Sequence, residues 1–342
     1  MNNFNRIALI ITTINKPNKV IDKYLELSNN QQIKYILIGD KKSPKYNKKY
    51  PFYNLKTQKK FNFKLYNGLP LNSYSRKNLG YLIAMKSNVR TIIETDDDNY
   101  PKNNFFRNLD EKKNINEVSG DKWINVLKIF NKGKKTIWPR GYPLKLINKN
   151  TKFKIKKKIV FSPIQQRMCD GNPDVDAIYR LTNKSQNYSF KNKNIAIDNQ
   201  SICPFNSQNT VWHKVAFPLL YLPSFCTMRA TDIWRSFIAT RIIKNYNWNL
   251  TFLKSTVIQE RNVHDLMDDF MQEVPVYKNT INLYETLENI NLSNKYEDIL
   301  LNIYKCYKEL VKREIFDKKE LPLLKKWLSD IQKIYPNLKK QN

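Results

Sequence analysis

The sequence predicts an α/β fold, a mostly parallel central sheet with flanking helices, and a small helical appendage at the C-terminal end. Two patterns point to it. Residues 1–100 alternate short, nearly continuous apolar runs, as strands buried on both faces require, with segments of helical spacing. Residues 276–342 instead repeat apolar positions at three and four, the stripe of an amphipathic helix. Hydrophobic residues make up 41% of the 342 and aromatics 13%, enough to bury a core and to exclude wholesale disorder.

In chain order, residues 6–14 (RIALIITTI) and 34–39 (KYILIG) are Ile-rich and read as buried strands. Between them Val20, Ile21, Tyr24 and Leu25 recur at helical spacing. Over residues 73–87, Ser73 is a candidate cap and Leu79, Leu82 and Ile83 form an inward stripe. Residues 90–95 (RTIIET) make a third buried strand. Strand, helix, strand, helix, strand is the pattern of a parallel sheet with crossover helices. The middle, residues 122–257, mixes long loops with short strands at 158–161, 194–197 and 250–253 and a helix at 231–243. Helical periodicity returns over 263–272. The expected organisation is a catalytic domain over residues 1–275 and a helical extension over 276–342.

Lys and Arg number 60 against 30 Asp and Glu, a net charge of +30. Such charge favours phosphate-bearing partners through counterion release. The lysines are nevertheless scattered through almost every segment, beside an equal excess of Asn, Ile and Tyr, a composition that A/T-rich codons produce. Nucleic acid is therefore not the expected partner, while a peripheral contact with an anionic membrane stays open. Cys169, Cys203, Cys226 and Cys306 stand far apart, with no CxxC pair, which argues against a disulfide framework or structural zinc. With 7 glycines, no Gly-rich phosphate loop can be written. No stretch reaches the ~18 apolar residues of a membrane span, and a cytoplasmic protein is the expectation.

The sharpest motif is ETDDDN at residues 94–99. Three consecutive carboxylates at the end of a buried parallel strand lie where open α/β sheets bind ligands, and their repulsion is tolerable around Mg²⁺ or Mn²⁺. Arg76, Lys77 and Asn78 open the helix after Ser73, where cations suit a nearby diphosphate. The runs WPRGYP (138–143) and QQRMCDGNPDVDAIYRLT (165–182) place Asp170, Asp174 and Asp176 in a loop suited to sugar hydroxyls or, less completely, to calcium. Asp232 opens a helix, either as an ordinary first-turn acid or as a carboxylate presented to an acceptor. Of the two histidines, His264 is the better ligand candidate; His213, among apolar residues, reads as a packed core histidine.

Taken in order, TTINKP (12–17), IGDKKSP (38–44), YSRKNLGYLIA (74–84), IIETDDDNYP (92–101), WPRGYPL (138–144), DGNPDVDAIYRLT (170–182), NSQNT (206–210), RATDIW (229–234) and QERNVHDLMDDF (259–270) resemble the STELLO-type glycosyltransferase domain family. The likeness extends over residues 6–275. It implies a GT-A-like fold, a nucleotide-sugar donor (UDP-linked by expectation), a saccharide or other hydroxyl acceptor, and a divalent ion. The DDD, RGYP and DIW segments also resemble the reversibly glycosylated polypeptides, which are UDP-arabinopyranose mutases. Unlike plant STELLO members, this text shows no membrane anchor, so a Golgi location is not carried over.

On that resemblance, Asp96, Asp98 and His264 hold the metal. Thr12, Thr13, Asp40, Arg76, Lys77, Asn78, Asp96 and Asp97 bind the donor, with Asp40 on the nucleobase edge. Asp174, Asp176, Arg229 and Trp234 contact the sugar or acceptor, and Asp232 is the catalytic base. In the alternative reading, a mutase or self-glycosylating protein, Arg140 carries the sugar. A different class, an inactive basic domain on nucleic acid or anionic lipid, leaves the three adjacent carboxylates without purpose.

Overall fold

The computed structural model describes residues 6–133, 136–183, 187–260 and 265–338. Its first strand, β1 (Ile7–Thr12), alternates between two buried layers, with Ala8 and Ile10 in one and Ile7, Leu9 and Ile11 in the other. Burial on both faces is the reason that the run is continuously apolar. Asn18 caps α1 (Lys19–Asn30), its side chain accepting from the N–H groups of Val20 and Ile21. The chain returns through β2 (Lys34–Ile38), parallel to β1, then forms β3 (Phe52–Tyr53) and α2 (Leu55–Lys59).

Ser73 caps a 3₁₀ turn at Tyr74–Arg76 rather than the expected α-helical first turn, and α3 (Lys77–Lys86) follows directly. This helix lies close on the sheet. A Cβ on Gly80 would come within 2.7 Å of Ile10 Cγ2 and 2.9 Å of Ile38 Cγ1, so a side chain there would push the layers apart. Then β4 (Thr91–Thr95) pairs parallel with β1 on the side away from β2. Strand order therefore reverses between β1 and β4, the topological switch at which open α/β sheets bind ligands.

Beyond β4 the chain forms β5 (Asn99–Pro101), β6 (Lys112–Gly120), α4 (Val126–Phe130), β7 (Phe153–Phe161), β8 (Ile164–Gly171), α5 (Ala177–Thr182), β9 (Ile195–Ile197), β10 (Asn209–His213), α6 (Thr231–Asn245) and β11 (Leu250–Gln259). The spatial order is β3-β2-β1-β4-β10-β8-β11-β9-β6-β7, with β5 paired to β11 off that path. β10 runs antiparallel to β4 and β8, whereas β8–β11 and β6–β9 pair parallel. The α/β expectation is met, and a large sheet flanked by helices is consistent with a glycosyltransferase fold. Its parallel half is the part read from the sequence. The nine-residue β7, expected only over 158–161, is a sheet edge exposed along most of its length, so burial imposes no apolar pattern on it.

Three helices close the chain: α7 (Leu266–Glu288), α8 (Ile299–Lys312) and α9 (Glu320–Ile334). The expected boundary at 275/276 falls inside α7, which continues through Pro275. Residues of α8 and α9 share one hydrophobic core with α3, α6 and one face of the sheet. Their polar side chains also close backbone valences of the preceding region. Glu320 accepts from the N–H groups of Ser224 and Phe225, both at 2.9 Å, and Asp330 from those of Lys64 and Leu65 at 3.0 and 2.9 Å.

Trp327 is fully buried and its indole N–H donates to Pro218 O at 3.1 Å. Trp327→Ala is expected to cost ~3–5 kcal/mol in urea unfolding, the usual result of emptying a large aromatic site. His213 is packed in the core as read, between Gln165 and Thr91, and burial followed by the charges of Lys113 and Arg167 pushes its pKa down to about 3; Glu111, 3.5 Å away and partly exposed, does not offset this. The unfolded chain takes up that proton near pH 6.5 and the folded chain does not, so the stabilising effect of the neutral ring is lost as pH falls from about 6.5 toward 3. His213→Gln should therefore flatten stability against pH over that window, where the natural histidine contributes a slope of up to ~1.4 kcal/mol per pH unit.

Candidate active site

A cavity of about 370 Å³ opens at the switch point, between the ends of β1, β2 and β4 on one side and the start of α6 on the other. Thr12 ends β1 and Thr13 follows it, Gly39 and Asp40 follow β2, and residues 96–98 follow β4; all of them line it. Strand alternation separates the acids of ETDDDN. Glu94, still inside β4, turns into the core, where Arg235 meets it at 2.6 and 3.0 Å and Trp212 Nε1 at 2.7 Å. Asp96, Asp97 and Asp98 leave the strand and reach the cavity.

Each of the three has a different setting. Asp96 Oδ1 accepts from Tyr74 OH at 2.8 Å and from the fully buried Lys77 Nζ at 3.0 Å. Burial raises its pKa, and Lys77 and Tyr74 act against that rise. Asp97 is engaged elsewhere: its carboxylate accepts from Asn15 Nδ2 at 2.9 Å and from Thr13 Oγ1, and its backbone oxygen from Asn18 Nδ2, so it latches the loop after β1. Asp98 Oδ2 accepts from Gln259 Nε2 at 2.9 Å. Gln259 arrives there because β5, immediately after Asp98, pairs with the end of β11.

On the nucleotide side of the expected site, Asp40 accepts from the backbone N–H groups of Lys41 and Ser73. Arg76 lines the cavity at 2% exposure, with Nε and Nη2 held by Gln58 Oε1 at 3.2 and 2.7 Å. Burial lowers its pKa, and Asp40 acts against this only from a distance. Its Nη1 has no hydrogen-bond partner among the described residues. Asn78 does not reach the cavity. Its amide exchanges two 2.8 Å hydrogen bonds with the backbone of Leu222, and it positions α3 instead.

The opposite wall is built on Arg140. Gly141 beside it has φ +84°, and a Cβ there would collide with Ile233, so the RGYP turn needs glycine for both conformation and space. All five N–H donors of the guanidinium are engaged: Nε and Nη2 on Asp174, both terminal nitrogens on Asp232 at 2.9 and 3.0 Å, and Nη1 on Arg229 O. Burial would lower the Arg140 pKa, but Asp174 and then Asp232 outweigh it and raise it. Burial likewise opposes the charge of Asp232, and Arg140 reverses this and holds it below the usual carboxylate range. Asp232 Oδ2 also accepts from Ser207 N and Oγ, while Oδ1 accepts from Arg140 alone among the described residues.

Tyr74 and Ser207 join the two walls. Tyr74 OH is 2.6 Å from Ser207 Oγ, so one chain of contacts runs from Lys77 and Asp96 through Tyr74 and Ser207 to Asp232 and Arg140. The sequence pattern assigns a role to neither residue, although both lie inside motifs that carry the resemblance; hydroxyls have no charge pattern to betray them. Of the remaining candidates, Arg229 lines the cavity and pairs with buried Glu273 at 2.6 Å. Asp176 stays outside it, capping α5 and accepting from Trp138 Nε1 at 2.6 Å, with burial pushing its pKa up to about 7. Trp234 is buried against Phe316, its ring stacked at 4.9 Å. His264 lies outside the described residues.

Among the described residues, no group of three or more His, Cys, Asp and Glu side chains is arranged to hold a metal ion by itself. Asp96 and Asp98 nevertheless line one cavity and offer hard oxygen donors, and Asp96 already attracts a cation, the Lys77 ammonium. Mg²⁺ and Mn²⁺ commonly take one or two carboxylates and complete their shells with water and substrate phosphate. The residues present fit such an ion.

Comparison with known proteins agrees with the resemblance drawn from the motifs. Residues 229–341 match the model of the STELLO glycosyltransferases, a segment that begins at Arg229, takes in Asp232 and runs through the C-terminal helices. The chain is 24% identical over 285 residues to "Probable glycosyltransferase STELLO2" of Arabidopsis thaliana, covering 76% of this chain and 33% of that protein. It is 26% identical over 217 residues to "Probable glycosyltransferase STELLO1" of the same plant, covering 56% of this chain and 27% of that protein. The chain thus spans about a third of the length of the curated relatives it matches.

The Arg140 cluster is testable by itself. Arg140→Met leaves the carboxylates of Asp174 and Asp232 buried beside each other without their shared cation. Unfolding at pH 7 should show a loss of ~3–5 kcal/mol, as breaking a buried pair does. Adding Asp232→Asn to Arg140→Met should recover part of the loss.

Proposed function

We propose that the chain is a STELLO-type glycosyltransferase that transfers a sugar from a nucleoside-diphosphate donor to a hydroxyl acceptor, with UDP as the favoured nucleotide. The observation that carries the reading is the cavity at the β1/β4 switch, with Asp96 and Asp98 on one wall and the Arg140 cluster on the other. The nucleoside lies along Thr12, Gly39 and Asp40, and the diphosphate reaches Arg76 Nη1, whose charge no carboxylate in contact compensates. Asp96 and Asp98 hold Mg²⁺ or Mn²⁺, which supplies electrostatic stabilisation of the leaving diphosphate. Lys77 and Tyr74 fix the orientation of Asp96, and Gln259 that of Asp98.

The sugar then faces Asp174 and Asp232. Arg140 keeps Asp232 ionised, the state a base needs, and Asp232 Oδ1 retains a lone pair for the acceptor proton. The same clamp speaks against sugar transfer to Arg140. A nucleophilic guanidinium nitrogen needs a free lone pair, whereas all five donors here are spent and both neighbouring carboxylates hold the group protonated.

Calorimetry with UDP is expected to show binding that requires Mn²⁺ or Mg²⁺ and weakens ~10²-fold in Asp96→Asn/Asp98→Asn, the scale of losing metal and charge stabilisation together. Equal binding in excess chelator would overturn the donor site. Incubation with a panel of nucleotide sugars and Mn²⁺ should give transfer or slow hydrolysis. Asp232→Asn should keep UDP affinity and lose turnover by ~10²-fold or more. Unchanged turnover in a normally folded variant would remove Asp232 from the mechanism, and a sugar on Arg140 by intact-mass spectrometry would establish the self-glycosylating alternative.

A further inference from the structure

A second cavity, of about 310 Å³, lies between the loop before β6, the strand β6 itself, β8 and β11. Five cations line it, Arg107, Lys112, Lys113, Arg167 and Lys254, with Asp110 as the one acid on the described lining. Arg167 is 2% exposed, yet among the described residues its guanidinium donates only to backbone oxygens: Phe105 O at 2.5 Å, Arg107 O at 2.7 Å and Asn108 O at 3.4 Å. Lys113 Nζ donates to the same Asn108 O at 3.1 Å. No ion pair joins any of the five to a carboxylate among the described residues.

Two other buried arginines are compensated by carboxylates, Arg140 by Asp174 and Asp232, and Arg235 by Glu94, while Arg180 donates to Asn172 Oδ1 and Pro173 O. The exception that also lines a cavity is Arg76, at the proposed diphosphate position. Arg167 and Lys113 repeat that pattern with more charge. Two neighbouring cations that share a carbonyl dipole repel one another, and burial intensifies the repulsion. Burial, then Arg167, lowers the Lys113 pKa to about 8, and burial lowers that of Arg167 to about 10. An anion between them would remove the conflict: three of the five N–H donors of Arg167 go to backbone oxygens, which leaves two, with the Lys113 ammonium, for phosphate oxygens.

We propose that this second cavity is a binding site for a phosphate-bearing anion, held by Arg167 and Lys113 with Arg107, Lys112 and Lys254 around the mouth. It is separate from the donor cavity, since the two share no lining residue, and does not depend on how that one is read. The phosphate belongs either to a soluble metabolite or to a lipid headgroup.

The test uses the full chain in chelator, with inorganic pyrophosphate as the soluble probe and vesicles of phosphatidylcholine with 20% phosphatidic acid (on the order of the anionic content that recruits basic surfaces) as the other. Calorimetry should show pyrophosphate binding that is unaffected in Arg76→Met and at least ~10-fold weaker in Lys113→Met/Lys254→Met, the loss of charge-assisted hydrogen bonds. Because Arg167→Met empties a buried position, the lysine pair is the primary variant, and equal melting temperatures certify its fold. Binding of pyrophosphate alone assigns a soluble phosphate; flotation with acidic vesicles, lost in the lysine variant and absent with pure phosphatidylcholine, assigns a headgroup. Equal affinity in the natural chain and the lysine variant, loss in Arg76→Met only, or binding to neither probe would overturn the proposal.

Discussion

Buried charge at the end of β4 is the constraint on which the rest of this structure depends. The strand delivers Glu94 into the core and Asp96 to the cavity within three residues, and each carboxylate needs a cation taken out of water with it. Arg235 answers the first from α6, and Lys77 answers the second from the first turn of α3. One helical turn before Arg235, on the same α6, Asp232 pairs with Arg140. The register of α6 is thereby set by the core pair, and that register aims Asp232 at the cavity. The core ion pair and the cavity carboxylate are consecutive turns of one helix.

The C-terminal helices stand behind this arrangement. Glu320 closes the backbone at Ser224 and Phe225, just before α6 begins, and Trp234 of α6 stacks on Phe316 between α8 and α9. The match to the STELLO glycosyltransferases begins at Arg229 and continues through these helices, in keeping with packing that treats α6 to α9 as one unit. A chain sharing α6 but lacking α9 would leave the turn before Asp232 without its caps.

Two cavities are also contrasted by how their cations are balanced. In the cavity at the β1/β4 switch, acids and bases face each other across Tyr74 and Ser207, so a ligand with both charges and hydroxyls would be matched on both walls. The cavity by β6 has cations almost alone. A net charge of +30 makes basic surface common in this protein, but it does not place an arginine at 2% exposure against carbonyl oxygens. Burial, rather than composition, distinguishes Arg167 from the many solvated lysines.

The sequence by itself determined the parallel half of the sheet, because strands buried on both faces must be continuously apolar, and β1, β2 and β4 are. It also determined that Asp96 and Asp98 follow a buried strand, and that Asp40, Arg76, Arg140, Asp174 and Asp232 lie in the motifs that carry the family resemblance. Tertiary structure alone decided which of these meet. Asn78 turns to Leu222 and Asp176 to Trp138, away from the cavity, since helix phase and local capping, invisible in composition, set their direction. It decided too that Asp97 is a latch and that Arg140 spends every donor, because those outcomes rest on partners 34 to 92 residues apart. The exposed β7 and the helix running through Pro275 escaped the sequence for a common reason. Apolar periodicity reports burial, and neither an edge strand in solvent nor the continuation of a helix past a proline is written in it.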